Sequence, residues 1–65
     1  MNTQQYLKAL AKLDLPPHSE RTALALGMSL SGIQKIAMEH VKVPGPVERL
    51  LAMYQRHGLP KEYRA

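Results

Sequence analysis

The sequence predicts an all-α protein, a compact domain of four to five short helices, and three observations support this prediction. Apolar residues recur at three- and four-residue spacing, which is the period of an amphipathic helix. The stretches DLPP (14–17), VPGP (43–46) and HGLP (57–60) interrupt the pattern, because proline cannot continue a helix and glycine readily ends one. No segment alternates apolar and polar residues with the period of a β-strand.

The length and composition of the chain limit the classes of protein to consider. With 65 residues and no cysteine, residues 1–65 are expected to form one domain whose small core has no disulfide to reinforce it. No apolar run approaches the ~18 residues of a membrane span, and the first residues lack the features of a signal peptide. We therefore expect a cytoplasmic protein that does not associate with membranes.

The chain is basic. Lysine plus arginine outnumber aspartate plus glutamate by 9 to 5, which gives a formal net charge of +4. Such a balance favours an anionic partner such as nucleic acid. A net charge of this size also serves solubility alone, and composition does not decide between the two.

The first predicted helix begins after Asn2 and ends at about Leu13. Asn2 can cap this helix while Gln5 returns a bond from the third helical position, a reciprocal arrangement known as a capping box. The apolar stripe of the helix consists of Tyr6, Leu7, Leu10, Ala11 and Leu13. We expect this stripe to face the core.

The second and third predicted helices are separated by a very short turn. His18 or Ser19 can cap the second helix, and Gly27 ends it. Ser29 can cap the third helix only two residues after that glycine. Two helices joined so tightly are typical of a helix-turn-helix.

This stretch resembles the helix-turn-helix of lambda-repressor-like, Cro-like DNA-binding domains. The family has an alanine, then leucine-glycine-valine-serine, then a branched apolar residue four positions after the serine. The residues that carry the resemblance here are Ala23, Leu26, Gly27, Met28, Ser29, Ile33 and Ile36. The segment VPGPVERLL also resembles a subgroup of small phage and prophage regulators, among which are short basic anti-CRISPR-associated autorepressors. The similarity covers about residues 5 to 56.

The chain departs from that subgroup at several positions. The subgroup usually has tryptophan at the position of Ile36 and a glycine that ends the recognition helix at the position of Glu39. Without this glycine, we expect the third helix to end differently and to run on to His40. Pro16 and Pro17 also occupy the place where the family tends to carry a polar cap.

The third helix carries the candidate base-reading residues. Helical periodicity places one set of residues on a core face, namely Ile33, Ile36, Ala37 and His40. It places the other set on the opposite face, namely Ser31, Gln34, Lys35 and Met38. Short polar groups and one long cation suit a major groove, so we predict that Ser31, Gln34 and Lys35 read base edges. Ordinary surface residues would show the same pattern. Leu30 either contacts a thymine methyl or packs against the second helix.

Six further residues are candidates for DNA phosphate contacts. The start of the second helix offers Ser19 and Arg21, since helix N-termini attract phosphate and the resemblance places Ser19 there. Ser29 is first a helix cap, and Gly32 would let a phosphate approach the backbone. The two cationic or titratable residues that follow the third helix are His40 and Lys42. A solvated turn is the alternative for these last two.

The sequence gives no support for an enzyme, a cofactor, a metal site or a small-molecule substrate. His18, His40 and His57 lack the three- or four-residue spacing with which two imidazoles share a metal ion on a helix. Asp14 is the sole aspartate, the four glutamates are explained by caps and surface pairs, and the chain contains neither a glycine-rich phosphate loop nor a nucleophile elbow.

The fourth predicted helix extends from about Val47 to His57 and suggests a homodimer. Its inward stripe is Val47, Leu50, Leu51 and Tyr54, which leaves Met53 outside the core. Leu59 and Tyr63 add apolar surface beyond Gly58, so we predict a dimer interface formed by Met53, Leu59 and Tyr63 within residues 46–65. The alternative is that this tail folds back over its own core.

These observations together predict a sequence-specific repressor. The resemblance implies that a homodimer binds an inverted-repeat operator in double-stranded DNA and blocks a promoter. The alternative is a small α-helical protein-interaction module without DNA binding.

Overall fold

The computed structural model describes residues 1–64, and this part of the chain is a small all-α domain, as the sequence predicts. The helices are α1 (Thr3–Lys12), α2 (Glu20–Leu26), α3 (Leu30–Ala37) and α4 (Gly45–His57). A short 3₁₀ helix follows over Lys61–Tyr63. Residues 1–64 contain no β-strand and no helix long and apolar enough to cross a membrane.

Helix α1 begins with the predicted capping box. The Asn2 side chain accepts a hydrogen bond from the backbone N–H of Gln5 at 2.8 Å, and the Gln5 side chain accepts one from the backbone N–H of Asn2 at 2.9 Å. Tyr6 and Leu10 of the predicted stripe are buried, whereas Ala11 is exposed. The cap therefore fixes where the helix starts, and the apolar spacing decides which face is buried.

Three helices end in the same way, with a residue in the left-handed conformation at Asp14 (φ 57°), Gly27 (φ 66°) and Glu39 (φ 62°). After each of them the next backbone N–H reaches back five residues: Leu15 to Leu10 O, Met28 to Ala23 O and His40 to Lys35 O, each at 2.9 Å. These bonds satisfy carbonyls that a helix end leaves without donors.

The expectation that α3 continues to His40 is wrong. The helix ends at Ala37, and His40 lies exposed in the turn that follows rather than on the core face. Glu39 adopts the backbone conformation for which the resembled subgroup uses glycine. The same hydrogen bonds close the turn with either residue, since they involve backbone atoms alone.

Replacing Glu39 by glycine is expected to raise the free energy of unfolding by about 1 kcal/mol, because a left-handed conformation is unfavourable for a residue with a Cβ atom. Urea unfolding followed by circular dichroism measures this change. The Glu39→Ala variant is the control, since it removes the same carboxylate but keeps the Cβ atom. If the free energy of unfolding rose equally in both variants, the loss of the carboxylate charge, and not the backbone conformation, would explain the change.

The core lies where the four helices meet. Its largest fully buried side chains are Tyr6, Leu10, Thr22, Ile33, Ile36 and Leu51. Thr22 is the polar member of this group, and its hydroxyl donates to the carbonyl of Pro16 at 2.5 Å. This bond links the segment of Pro16 and Pro17 to α2. Neither proline has a backbone N–H that could donate to such a link.

A second buried hydrogen bond joins α4 to the end of α2. The Tyr54 hydroxyl donates to the carbonyl of Ala25 at 2.6 Å. Ala25 lies in the last turn of α2, where carbonyls lack intrahelical donors. Desolvation by burial raises the pKa of Tyr54, and it also raises the pKa of Tyr6. Since both shifts favour the neutral phenol in the folded state, stability declines as pH rises above the ordinary tyrosine pKa of 10.0.

Tyr54→Phe is expected to lower the free energy of unfolding by about 1 to 2 kcal/mol, because the Ala25 carbonyl would stay buried without this donor. Tyr6→Phe is the matched control. The Tyr6 hydroxyl is buried with no hydrogen-bond partner within residues 1–64, so its removal is expected to be neutral or stabilising. Chemical denaturation of both variants below pH 9 gives the comparison. If Tyr6→Phe lowered the free energy of unfolding as much as Tyr54→Phe, the stabilising role of the Tyr54 hydrogen bond would be contradicted.

The chain after α4 folds back over the core. Leu59 is only 6% exposed, and Tyr63 is half-buried against the core cluster. The Arg64 Nε donates to the carbonyl of Leu59 at 2.7 Å, which holds the turn closed. The expectation that Leu59 is exposed beyond α4 is therefore wrong, and its position agrees with the alternative that the tail folds back over its own core.

Candidate nucleic-acid interface

Helix α3 presents one polar face to solvent. Ile33 and Ile36 are fully buried and fix the rotation of the helix about its axis. On the opposite side Ser31 and Lys35 are exposed, and Gln34 is partly exposed. The three predicted polar base-reading residues thus share a face that is accessible to a large partner.

Leu30 lies at the border between this face and the core. It is half-buried and packs against the core cluster. It also lines a shallow hollow together with Ala23, Leu24 and Met28. Packing against the core cluster thus covers much of the Leu30 side chain. A base could contact only the part that stays exposed.

The predicted serine caps are both formed. The Ser19 hydroxyl accepts from the backbone N–H of Thr22 at 3.3 Å, and the Ser29 hydroxyl accepts from that of Gly32 at 3.1 Å. A capping serine uses its oxygen as acceptor and keeps its O–H as a donor. Ser29 is exposed, so its hydroxyl can still donate to an external acceptor such as a phosphate oxygen.

Gly32 has a structural explanation inside the chain. A Cβ atom at this position would lie 3.1 Å from the Cε atom of Met28 and 3.2 Å from the Oγ atom of Ser29. Both distances are tighter than ordinary van der Waals contact. The glycine makes room for the α3 cap and for Met28, and its presence does not require a phosphate nearby.

The structure assigns Arg21 to a role within the fold. Its guanidinium donates to the carbonyl of Asp14 at 3.0 Å and to the carbonyl of Tyr63 at 3.1 Å. These bonds connect the loop before α2 to the C-terminal 3₁₀ helix. The phosphate contact of Arg21 stays a prediction, and in this fold two of its guanidinium nitrogens donate to backbone carbonyls of its own chain.

His40 and Lys42 are exposed in the segment between α3 and α4. Their backbone follows directly from the left-handed turn at Glu39, which directs the chain away from the helix axis. Lys35 is exposed near the end of α3. The polar face of α3 is therefore followed in the chain by additional exposed groups that can carry positive charge.

Three features of the structure had no role among the sequence-based predictions. The buried hydroxyl of Thr22, the Tyr54 bond to α2 and the exposed side chain of Met38 at the end of α3 were not among the predicted site residues. The periodicity of α3 had already placed Met38 beside Lys35, which was the available signal. The other two depend on contacts between helices, which periodicity does not describe.

Neither protein-family models, nor curated proteins, nor solved structures give a match to this chain. The described residues 1–64 also contain no group of three or more histidine, cysteine, aspartate or glutamate side chains placed to hold a metal ion.

Proposed function

We propose that this chain is a sequence-specific double-stranded DNA-binding protein, a transcriptional repressor of phage or prophage type. In this proposal α2 and α3 form a helix-turn-helix within a lambda-repressor-like domain, and α3 enters the major groove. Bound at a promoter, the protein would exclude polymerase from the same DNA.

One observation carries the proposal: the accessible face of α3 bears Ser31, Gln34 and Lys35, while two fully buried isoleucines hold its other side. A serine hydroxyl, an amide and an ammonium group are suited to the donors and acceptors of base edges. The short turn from Leu26 to Leu30 supports the same proposal, because the backbone bond from Met28 to Ala23 closes the end of α2 directly before α3 begins. The net charge of +4 agrees with an anionic partner.

The proposed working form is a homodimer on an inverted repeat. One recognition helix reads only a few base pairs, and two half-sites about one helical turn apart provide the remaining discrimination. Met53 is 48% exposed on α4 and is the predicted interface residue that the fold leaves most accessible. Tyr63 contributes less, because most of its surface is already covered by its own chain.

Selection of bound duplexes from a random pool at physiological salt tests the proposal. An enriched inverted repeat is expected, and its affinity should fall steeply as salt rises because phosphate contacts release counterions. No enrichment, combined with salt-independent binding to protein partners, would support the alternative described next.

A protein-interaction module without DNA binding is the second candidate, and one observation favours it. Leu24 is 67% exposed on α2, beside the hollow that Leu30 and Met28 line. An exposed leucine beside other apolar groups is a common feature of protein contact surfaces. Leu24→Glu distinguishes the candidates, since it would abolish such a contact while leaving the face of Ser31 and Lys35 in place.

Lys42→Ala is expected to weaken binding to all duplexes about equally and to reduce the slope of log affinity against log salt by about 0.9, because one phosphate contact is lost. Filter binding over a series of salt concentrations measures both quantities. Lys12→Ala is the control, since Lys12 is an exposed lysine in the last turn of α1 and its loss changes net charge equally. A changed sequence preference in Lys42→Ala would instead make Lys42 a base-reading residue.

A further inference from the structure

Met38 lies directly after α3 and is one of the most exposed large apolar residues of the protein. It is the C-cap residue of the helix, and its side chain is 58% exposed. With about 100° of rotation per residue, Met38 follows Ser31, Gln34 and Lys35 on the same side of the helix. An apolar group thus stands at the end of an otherwise polar face.

The turn that follows α3 does not depend on the side chain of Met38. The turn that ends α3 is closed by backbone bonds from Met38 to Gln34, from Glu39 to Ile36 and from His40 to Lys35. None of these bonds uses the thioether of Met38. An exposed residue without such a role usually tolerates substitution with a stability change within about 0.5 kcal/mol.

The length of α3 keeps Met38 within reach of bases. Eight residues at ~1.5 Å per residue give a helix of about 12 Å, and in the proposed docking this short helix lies in the major groove. Met38 follows its last turn on the same side as Ser31 and Lys35 and would therefore face the same groove. The apolar feature that bases present there is the 5-methyl group of thymine.

We propose that Met38 is a specificity-determining residue that packs against the 5-methyl group of a thymine at the edge of each half-site. This inference rests on the proposed DNA-binding function and adds an apolar contact to the polar readout by Ser31, Gln34 and Lys35. The flexible, polarizable thioether is suited to packing against a methyl group. The contact extends recognition beyond the base pairs that the polar residues read.

The test replaces each thymine of the selected operator with uracil, which differs only by the missing 5-methyl group. At one symmetric pair of positions, wild-type affinity is expected to fall about four-fold per half-site, the equivalent of one apolar carbon removed from water at ~0.8 kcal/mol. Met38→Ala should bind the thymine operator with a similar loss and show no further loss with uracil there. Met38→Leu should still lose affinity when this thymine is replaced by uracil.

Val41→Ala is the matched control, because Val41 is also an exposed apolar residue, at 45%, but lies in the segment after α3 rather than on the α3 face. It should show the wild-type pattern of uracil sensitivity. Identical sensitivity of wild type and Met38→Ala at every thymine would overturn the inference while leaving DNA binding intact. A change of sedimentation without a change of uracil sensitivity would assign Met38 to self-association instead. A wild-type protein that binds no duplex would overturn the proposed function itself.

Discussion

Leu59→Glu is expected to leave the protein largely unfolded at room temperature. Leu59 is 6% exposed within the core of its own chain, so the variant loses the burial of a leucine side chain and places a carboxylate among apolar groups. Losses of this kind commonly exceed ~3 kcal/mol, and the single core of so small a domain rarely supplies more than about 3 to 5 kcal/mol. Circular dichroism and thermal unfolding measure the outcome.

Met53→Glu is the matched control for this experiment. The same substitution at a 48% exposed position on α4 should retain helical content and change stability by less than about 0.5 kcal/mol. If Met53 belongs to the proposed dimer interface, sedimentation should show a folded monomer with weaker operator binding. A Leu59→Glu protein that stays folded and merely dissociates would contradict the burial of Leu59 and restore it as an interface residue.

The double variant Gln34→Ala/Lys35→Ala is expected to lose operator binding by about 2 to 6 kcal/mol, with preference relaxed at one or two base pairs per half-site. Each base contact is worth about 1 to 3 kcal/mol of discrimination, and both side chains lie on the accessible face of α3. Titration of the selected operator and of single-position variants of it measures affinity and preference together. Helical content should be unchanged, because alanine is compatible with a helix.

Gln4→Ala/Lys8→Ala is the control for this variant. Gln4 and Lys8 are exposed on α1, and the pair has the same residue types and the same charge change as Gln34 and Lys35. Operator preference should be unaltered in the α1 variant. Equal losses of affinity in both pairs, without any change of preference, would indicate general charge attraction and exclude base reading by α3.

Much of the helix architecture could be predicted from local sequence. The capping box of Asn2 and Gln5, the caps at Ser19 and Ser29 and the stop at Gly27 act between neighbours in the chain. Such signals need no tertiary contact to be effective. The face of α3 followed equally from periodicity, because burial of Ile33 and Ile36 leaves Ser31 and Lys35 on the other side.

The candidate phosphate contacts were less predictable, since a side chain's availability depends on what the rest of the chain places beside it. Arg21 stands near a helix N-terminus, but carbonyls of Asp14 and Tyr63 occupy its guanidinium. Gly32 is explained by the positions of Met28 and Ser29 around it. These interactions concern distances between side chains and distant backbone, which residue spacing alone does not specify.

The sequence by itself determined that the protein is all-α, where its first three helices begin, and which face of α3 is polar, because caps and periodicity are local properties of the chain. Tertiary structure decided the direction of the C-terminal segment and the end of α3. Leu59 is apolar and could cover either its own core or a partner, and the fold provides space for it beside its own helices. The end of α3 contacts α1, where the Thr3 hydroxyl donates to the carbonyl of Ile36 at 3.5 Å, a contact that residue spacing does not specify. Glu39 has no strong local preference for the left-handed conformation that it adopts directly after this helix end.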